Sequence, residues 1–493
     1  MNAFSRRGAC PALSAPMQTG DGLLVRLNPV AGGLAPKSLI GLGESALRHG
    51  NGIMEVTARG SLQIRGLTAD SARLLAAEVD ALGIAVRSGV PVEVGPLAGI
   101  DPQEIADPRP LAERMRVAIE EAGLTARLGP KVSVVVDGGG QLSLDAVTAD
   151  VRLKAVGAGG DVLWSVSVAG DGRSSRLLAT VDADTSRDIA VAALRMVAEK
   201  GREAHTRDLS ERQLISLASW HSVTPLSVLP DISPSRGEIG NSRAGSPLLA
   251  LEIGESRDDN AISSLEGEMS GRTERGAQER RPVGRPIGLF SLGSNTALGI
   301  ALPYGSMPVQ NLIDLASEAS HLDATEIRLA PGRAMLFLGL SASACSSLQG
   351  SSSALGFVTD PADPRTRIAA CPGAPACASG RIATRAIAET IAAQNADLID
   401  TSLTLHVSGC AKGCAHPGAA ALTLVGDENG AGLVVDGTAK ALPAAYRPGY
   451  DAARGIAGIL AALRAQRHQG ETAAACLARL GAAGIAELYR RNQ

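Results

Sequence analysis

The chain has 493 residues, 45% of them hydrophobic and only 2% aromatic, with a formal net charge of −3. That length exceeds one ordinary domain and predicts about three or four units with cores of Ala, Val, Leu and Ile. The charge balance and the scarcity of aromatics argue against nucleic acid or an acidic membrane surface as partners.

In chain order, Arg7-Gly-Ala-Cys10-Pro-Ala-Leu13 reads as a short turn. Thr19-Gly-Asp-Gly-Leu-Leu-Val-Arg26-Leu27 reads as a turn feeding a strand. Residues 36–49 suit a helix entered at Pro36 and ended before Gly50. The stretch from Ile53 to Gly66 is a hairpin turning near Gly60, and Asp70 to Leu82 is a second helix. Residues 11–88 thus form a small α+β unit. An echo follows at 285–345, with a strand at Gly299–Gly305, a helix from Pro308 to Ser320 and a hairpin from Glu326 to Gly339. Glu55 aligns with Glu326 and Gly60 falls near Gly332, so the chain carries an internal repeat. Each copy precedes a larger α/β unit, at 91–222 and 355–490. The first has a helix from Arg109 to Ala122 and the segment Leu128–Asp137. Residues 231–284 have mixed charge, no aromatics and no persistent period, and read as a disordered insertion or linker.

Four of the seven cysteines lie in the last unit, as Cys371-Pro-Gly-Ala-Pro-Ala-Cys377 and Ser408-Gly-Cys410-Ala-Lys412-Gly-Cys414-Ala-His416-Pro417. Gly and Pro put both pairs on tight turns, where the backbone can approach a bulky inorganic centre. Unrelated core thiols, structural zinc and an iron–sulfur cluster all remain open on the residues alone. Thiolate softness favours the cluster. A helix read from Ser379 onward would point its N-terminal N–H groups at that negative charge, and Lys412 would add a cation. Cys10, Cys345 and Cys476 are scattered. The first α/β unit has no cysteine, so one cluster is expected. No basic leader precedes an apolar run and no stretch of about twenty apolar residues occurs, which predicts a soluble cytoplasmic protein.

The two cysteine spacings resemble those of the sulfite and nitrite reductase superfamily. The words Ala370-Cys-Pro-Gly-Ala-Pro-Ala-Cys-Ala-Ser-Gly380 and His406-Val-Ser-Gly-Cys-Ala-Lys-Gly-Cys-Ala-His-Pro417 are closest to its precorrin-3B synthase branch. The resemblance covers nearly the whole chain outside the insertion. It implies an α+β fold of two ferredoxin-like half-domains, each paired with a larger α/β domain, about a pseudo-twofold axis. It also implies one [4Fe–4S] cluster on Cys371, Cys377, Cys410 and Cys414. In the reductases the last cysteine, here Cys414, bridges to sirohaem iron. In the synthases a mononuclear non-haem iron accompanies the cluster. Precorrin-3A is hydroxylated at the meso carbon between rings A and D, and a ring-A acetate closes a γ-lactone. O2 supplies the oxygen, and NADH supplies electrons through another protein, an electron-donor reductase. The chain itself shows no dinucleotide fingerprint. An assimilatory reductase with sirohaem and a non-catalytic electron-transfer subunit are the alternatives.

A tetrapyrrole rich in acetate and propionate needs Arg and Lys placed for carboxylates. The superfamily's pattern implies Arg26, Arg59, Arg65 and Lys131, with Arg328, Arg333, Arg365 and Arg367 as secondary candidates. Reductases often show Lys-x-Lys at the loop of Lys131; here the second position is Ser133, which removes a cation expected to grip sulfite or nitrite. His406 and His416 flank the second cysteine pair and are the candidate ligands of a mononuclear iron, with His49 a further one. No catalytic residue is assigned from the sequence.

Overall fold

The computed structural model describes residues 11–30, 32–219, 263–264, 267–270, 273–274, 284–293 and 295–491. The first half-domain comprises β1 (Met17–Thr19), β2 (Gly22–Leu27), β3 (Gly33–Leu34), α1 (Pro36–His49), β4 (Ile53–Val56), β5 (Leu62–Leu67) and α2 (Ala69–Ala81). Pro36 fits the first turn of α1, where a missing N–H costs nothing. Leu39, Leu42 and Ala46 of that helix turn inward at helical spacing. Thr68 caps α2 in a reciprocal box with Ser71.

The first α/β domain follows with β6 (Val92–Val94), α3 (Arg109–Glu121), β7 (Val134–Asp137), β8 (Ala149–Ala158), β9 (Asp161–Gly170), β10 (Arg176–Val181), α4 (Ala183–Lys200) and α5 (Glu211–Ala218). Within the expected insertion, β11 (Ser263–Ser264), β12 (Gly267–Ser270) and β13 (Thr273–Glu274) pair antiparallel. The rest of 231–283 lies outside the described residues, as does the N-terminal turn through Cys10. The second half-domain has β14 (Gly288–Leu292), β15 (Asn295–Ala301), β16 (Ser306–Pro308), α6 (Val309–His321), β17 (Glu326–Ala330), β18 (Ala334–Leu340) and α7 (Ala342–Ala354). The expected boundary at 345 would cut α7. Cys345 and Leu348 of that helix belong to the half-domain core, so the unit extends to Ala354. The second α/β domain is β19 (Ile368–Ala370), α8 (Thr384–Gln394), β20 (Leu405–Ser408), β21 (Ala420–Asp427), β22 (Gly430–Gly437), β23 (Ala445–Arg447), α9 (Ala452–Gln466) and α10 (Ala473–Arg490).

The repeat is carried through at the level of strand order. One half-domain sheet runs β1-β2-β5-β4-β16 and the other β14-β15-β18-β17-β3. Each half thus lends its short third strand to the edge of the other's sheet, with Ser306 opposite Glu55 and Ile327 opposite Leu34. The halves share one core, in which Leu42, Met54 and Ile64 join Ile300, Leu315 and Phe337. α1 and α6 pack so closely that a Cβ on Gly43 would stand 2.6 Å from Ile313 Cγ1. The α/β sheets, β10-β9-β8-β7-β6 and β23-β22-β21-β20-β19, repeat one pattern of two parallel and two antiparallel pairings. The hairpin tips meet between them. Gly60 and Gly332 take φ of +77° and +89°, and Gly332 N donates to Ala58 O at 2.9 Å. No helix among the described residues is long and apolar enough to cross a membrane.

Candidate functional site

Both cysteine pairs sit on loops at one end of the second α/β sheet. Cys371 follows β19, and Cys410 and Cys414 follow β20. These strands are parallel neighbours, so their carboxyl ends face the same way. Arg381 N donates to Gly409 O at 2.8 Å, Gly409 N points at Cys371 Sγ at 3.2 Å, and Lys412 Nζ donates to Ser379 Oγ at 2.8 Å. Glycines permit the approach: a Cβ on Gly409 would lie 3.1 Å from the Cα atoms of both Gly373 and Gly380. The Cys414 thiol is pushed up by burial first and then by Cys410, Cys371 and Cys377. The charges of the other three sulfurs thus act on Cys414. Among the described residues no three His, Cys, Asp or Glu side chains converge on a point that would hold a single metal ion. Four thiolates that each bind a separate iron of a cubane need no such convergence, and this donor set fits a [4Fe–4S] cluster.

The helix expected from Ser379 begins five residues later, at Thr384. The intervening backbone is used to join the loops: besides Arg381 N, Ala374 N donates to Ile382 O at 2.9 Å. The start of α8 still lies beside the first cysteine. Thr384 Oγ1 donates to Cys371 O and stands 4.0 Å from its sulfur.

A cavity of about 470 Å³ abuts the second cysteine loop at Ala415 and His416. Its other walls come from the second hairpin tip (Pro331–Arg333), the 142–147 loop of the first α/β domain, Gly284–Ile287, Tyr304 and the segment before β19. Arg285, Arg333, Arg365 and Arg367 line it. Arg333 donates to Ala415 O at 2.9 Å and Arg285 to Thr366 O, both neutral acceptors. Arg365 is instead held by Asp363 in a forked pair, Nε–Oδ1 3.0 Å and Nη2–Oδ2 2.6 Å. Burial, then Arg367 and Arg333, push Arg285 down to about 10. Burial and Arg385 lower Arg333. Crowded, desolvated cations beside an open cavity make a site for an anion.

His406 is fully buried on β20, and its two ring nitrogens have no hydrogen-bond partner among the described residues. Burial, then His416 and Arg333, push it down to about 4, so the ring is neutral. His416 lies edge-on at 5.8 Å between centroids and bonds Ala419 O at 3.1 Å. Orphaned neutral nitrogens are good metal donors, but no third ligand joins these two rings among the described residues. The pair falls short of the three-residue site typical of a non-haem iron. His49 is engaged elsewhere, by Glu78 at 2.9 Å.

The cations expected to bind substrate separate into three groups. Arg333, Arg365 and Arg367 line the cavity, and Arg285 joins them from just beyond the insertion. Arg59 and Arg328 line a different cavity, of about 400 Å³, against the first α/β domain. There Arg328 is ion-paired with Glu326, Nε to Oε1 3.0 Å. Arg59 reaches Ser133 Oγ at 3.1 Å and Thr148 O at 2.6 Å, so the first hairpin returns a guanidinium to the position where Ser133 replaced a cation. Lys131 is exposed and lines neither cavity. Arg65 is a correction. It is buried and bonded to Asp21, Glu55 and Ala376 O, and Arg26 leads into the same network through Gln63. Sequence alone offered Arg285 no signal distinct from the arginine-rich segment around it.

The model of the Nitrite/Sulfite reductase ferredoxin-like half domain matches residues 15–82. A precorrin-3B synthase of Sinorhizobium sp is 37% identical over 491 residues, covering 99% of this chain and 96% of that protein. The structure of the Mycobacterium tuberculosis NirA protein superimposes with a TM-score of 0.65 at 16% identity, covering 94% of this chain and 84% of that one. That likeness establishes a common fold.

Proposed function

The chain belongs to the precorrin-3B synthase family, and on that premise we propose that the arginine-lined cavity receives precorrin-3A beside a [4Fe–4S] cluster held by Cys371, Cys377, Cys410 and Cys414. The enzyme hydroxylates the meso carbon between rings A and D, and a ring-A acetate closes the γ-lactone. One oxygen atom of O2 enters the product and the other leaves as water. The two electrons required come from NADH through a separate reductase, in the cytoplasm. When bound, the cluster passes electrons one at a time.

The chain's own residues do the rest. Arg285, Arg333 and Arg367 bind peripheral carboxylates, whose charge relieves the repulsion among them. Arg365, already fixed by Asp363, presents its remaining guanidinium edge. Ala415 and His416 form the wall directly after Cys414, so one loop would separate a substrate in the cavity from a cluster on these thiolates. Neutral His406 backs that loop and adds no charge to it. The observation that carries this reading is the single cavity that joins unneutralised arginines to the residues directly after Cys414.

Anaerobically purified protein should contain iron and acid-labile sulfide. With a reductant and precorrin-3A it should consume O2 and place one 18O atom in the product. Sulfite reduction without O2 uptake on a precorrin would overturn the reading.

A further inference from the structure

We propose that Arg65 is a positioning residue that holds the Cys371–Cys377 loop against the first half-domain and sets the electrostatic environment of whatever those thiolates bind. The proposal rests on the cluster reading for its redox arm and on geometry alone for the rest. Arg65 lies on β5, at 3% relative exposure, in a part of the chain remote from the cysteines in sequence. Its Nη2 donates to Ala376 O at 2.6 Å, the carbonyl directly before Cys377. Two carboxylates fix the guanidinium: Asp21 accepts from Nε at 3.0 Å and from Nη2 at 2.9 Å, and Glu55 lies 3.5 Å from Nη1. Glu55, equally buried, also accepts from Gln63 Nε2 at 2.7 Å and from Arg385, which α8 brings from the cysteine domain itself. The network therefore crosses the domain boundary twice, once to a backbone carbonyl and once to a side chain.

A second contact reinforces it. The turn between β1 and β2 lies flat on the same loop, with Gly20 N donating to Ala376 O at 3.2 Å. A Cβ on Gly20 would stand 2.5 Å from Pro375 O and 2.8 Å from Ala378 N. Ala376 O is thus held from two sides by one half-domain. A buried ion network is kept where specificity of geometry is needed, since its net stabilisation is small against desolvation. Here the geometry it fixes is that of a cysteine loop, and Arg65 places its guanidinium on the carbonyl directly before Cys377.

The test compares wild type with Arg65→Gln, Arg65→Lys and Gly20→Ala. Arg65→Gln leaves Asp21 and Glu55 without their cation and could unfold locally. Gly20→Ala leaves the ions intact and pushes on the loop sterically, which keeps the test decisive. Amide hydrogen exchange of residues 373–380 is measured in protein stripped of iron under anaerobic chelation. It should rise at least tenfold in Arg65→Gln and Gly20→Ala and stay near wild type in Arg65→Lys, a threshold of about 1.4 kcal/mol in loop opening. Equal exchange in all four proteins overturns the proposal whether or not a cluster exists. In iron-loaded protein the midpoint potential should fall in Arg65→Gln, because a nearby cation favours the more negative reduced state, and should be retained in Arg65→Lys. An unchanged potential in Arg65→Gln at full iron content overturns the electrostatic half. Absence of iron and sulfide from wild type would instead overturn the cluster reading and leave the exchange result to decide the clamp.

Discussion

The two α/β domains share a strand order but finish their common end in different chemistry. In the second, Cys371 follows β19, and Gly409 and Cys410 follow β20. In the first, Gly95 follows β6 and Gly138 and Gly139 follow β7. There a side chain joins the loops: buried Asp101 accepts from Gln141 N at 2.6 Å, Gln141 Nε2 at 2.9 Å and Gln103 N at 2.9 Å. A carboxylate that takes several N–H donors does for one domain what, on the proposed reading, four thiolates around a cluster would do for the other. The cavities differ in the same sense. Beside the first domain, Arg328 faces Glu326, Arg87 faces Glu93 and Arg116 faces Glu113. Beside the second, Arg285 and Arg333 find only carbonyl oxygens among the described residues. Among the described residues, four of the five arginines lining the first cavity face a carboxylate, Arg59 being the exception, whereas of the four lining the second only Arg365 does.

The largest test of that contrast is at the cysteines. Cys→Ser at 371, 377, 410 or 414 should remove most of the iron and sulfide, and the hydroxylase activity with them, because an uncharged hydroxyl is a poor substitute for a thiolate. Cys345→Ser and Cys476→Ser should keep both, at a stability cost of about 1–3 kcal/mol for a buried hydroxyl. Iron removal should also speed amide exchange at 409–418 and leave 138–144 unchanged, since Asp101 holds the latter. Equal loosening of the two loops would break the comparison.

The cavities give the next effect. Arg333→Gln and Arg285→Gln should weaken binding of a carboxylated tetrapyrrole such as uroporphyrin by about ten- to a hundredfold, for loss of one charge-assisted contact. The same changes should leave the ligand-free melting temperature unchanged or higher, because they relieve like-charge repulsion. Arg328→Gln should do the reverse, lowering stability by breaking the Glu326 pair and leaving affinity alone. If all three variants lost affinity equally, the distinction between satisfied and waiting arginines would fail.

How much of this was legible in the sequence follows from range. The hairpins at 53–66 and 326–339 were legible because alternation and a glycine tip are local signals, and the cysteine pairs because their spacing is. The exchange of β3 and β16 was not, since strands of two or three residues have no period and owe their pairing to the opposite half. Arg65 and Arg333 look alike as cations on hairpins. Asp21 and Ala376 O on one side, and Ala415 O with no carboxylate among the described residues on the other, separate a fastener from a proposed substrate contact. The helix expected from Ser379 started late because Arg381 and Ile382 spend their backbone groups on the other cysteine loop and on Ala374.

The smallest expected effect concerns the carboxyls that stand where the second domain has thiols. Glu104 accepts from Gly99 N at 2.8 Å, and burial, followed by the charges of Asp101, Asp107 and Asp137, pushes it up to about 7 from an ordinary 4.5. Arg109, engaged by Asp107, is the nearby cation. A group whose folded pKa is raised binds its proton more tightly when folded. Its contribution is fully present below about 4.5 and is lost as pH rises through about 7. Glu104→Gln keeps the acceptor for Gly99 and cannot ionise. The variant should match wild type near pH 4 and exceed it by about 1–2 kcal/mol at pH 8, the full shift being discounted for partial exposure. Denaturant titrations at the two pH values measure this directly. A difference that does not change with pH would mean that the acidic end of the first domain is as settled as its loops, with no cost stored in Glu104.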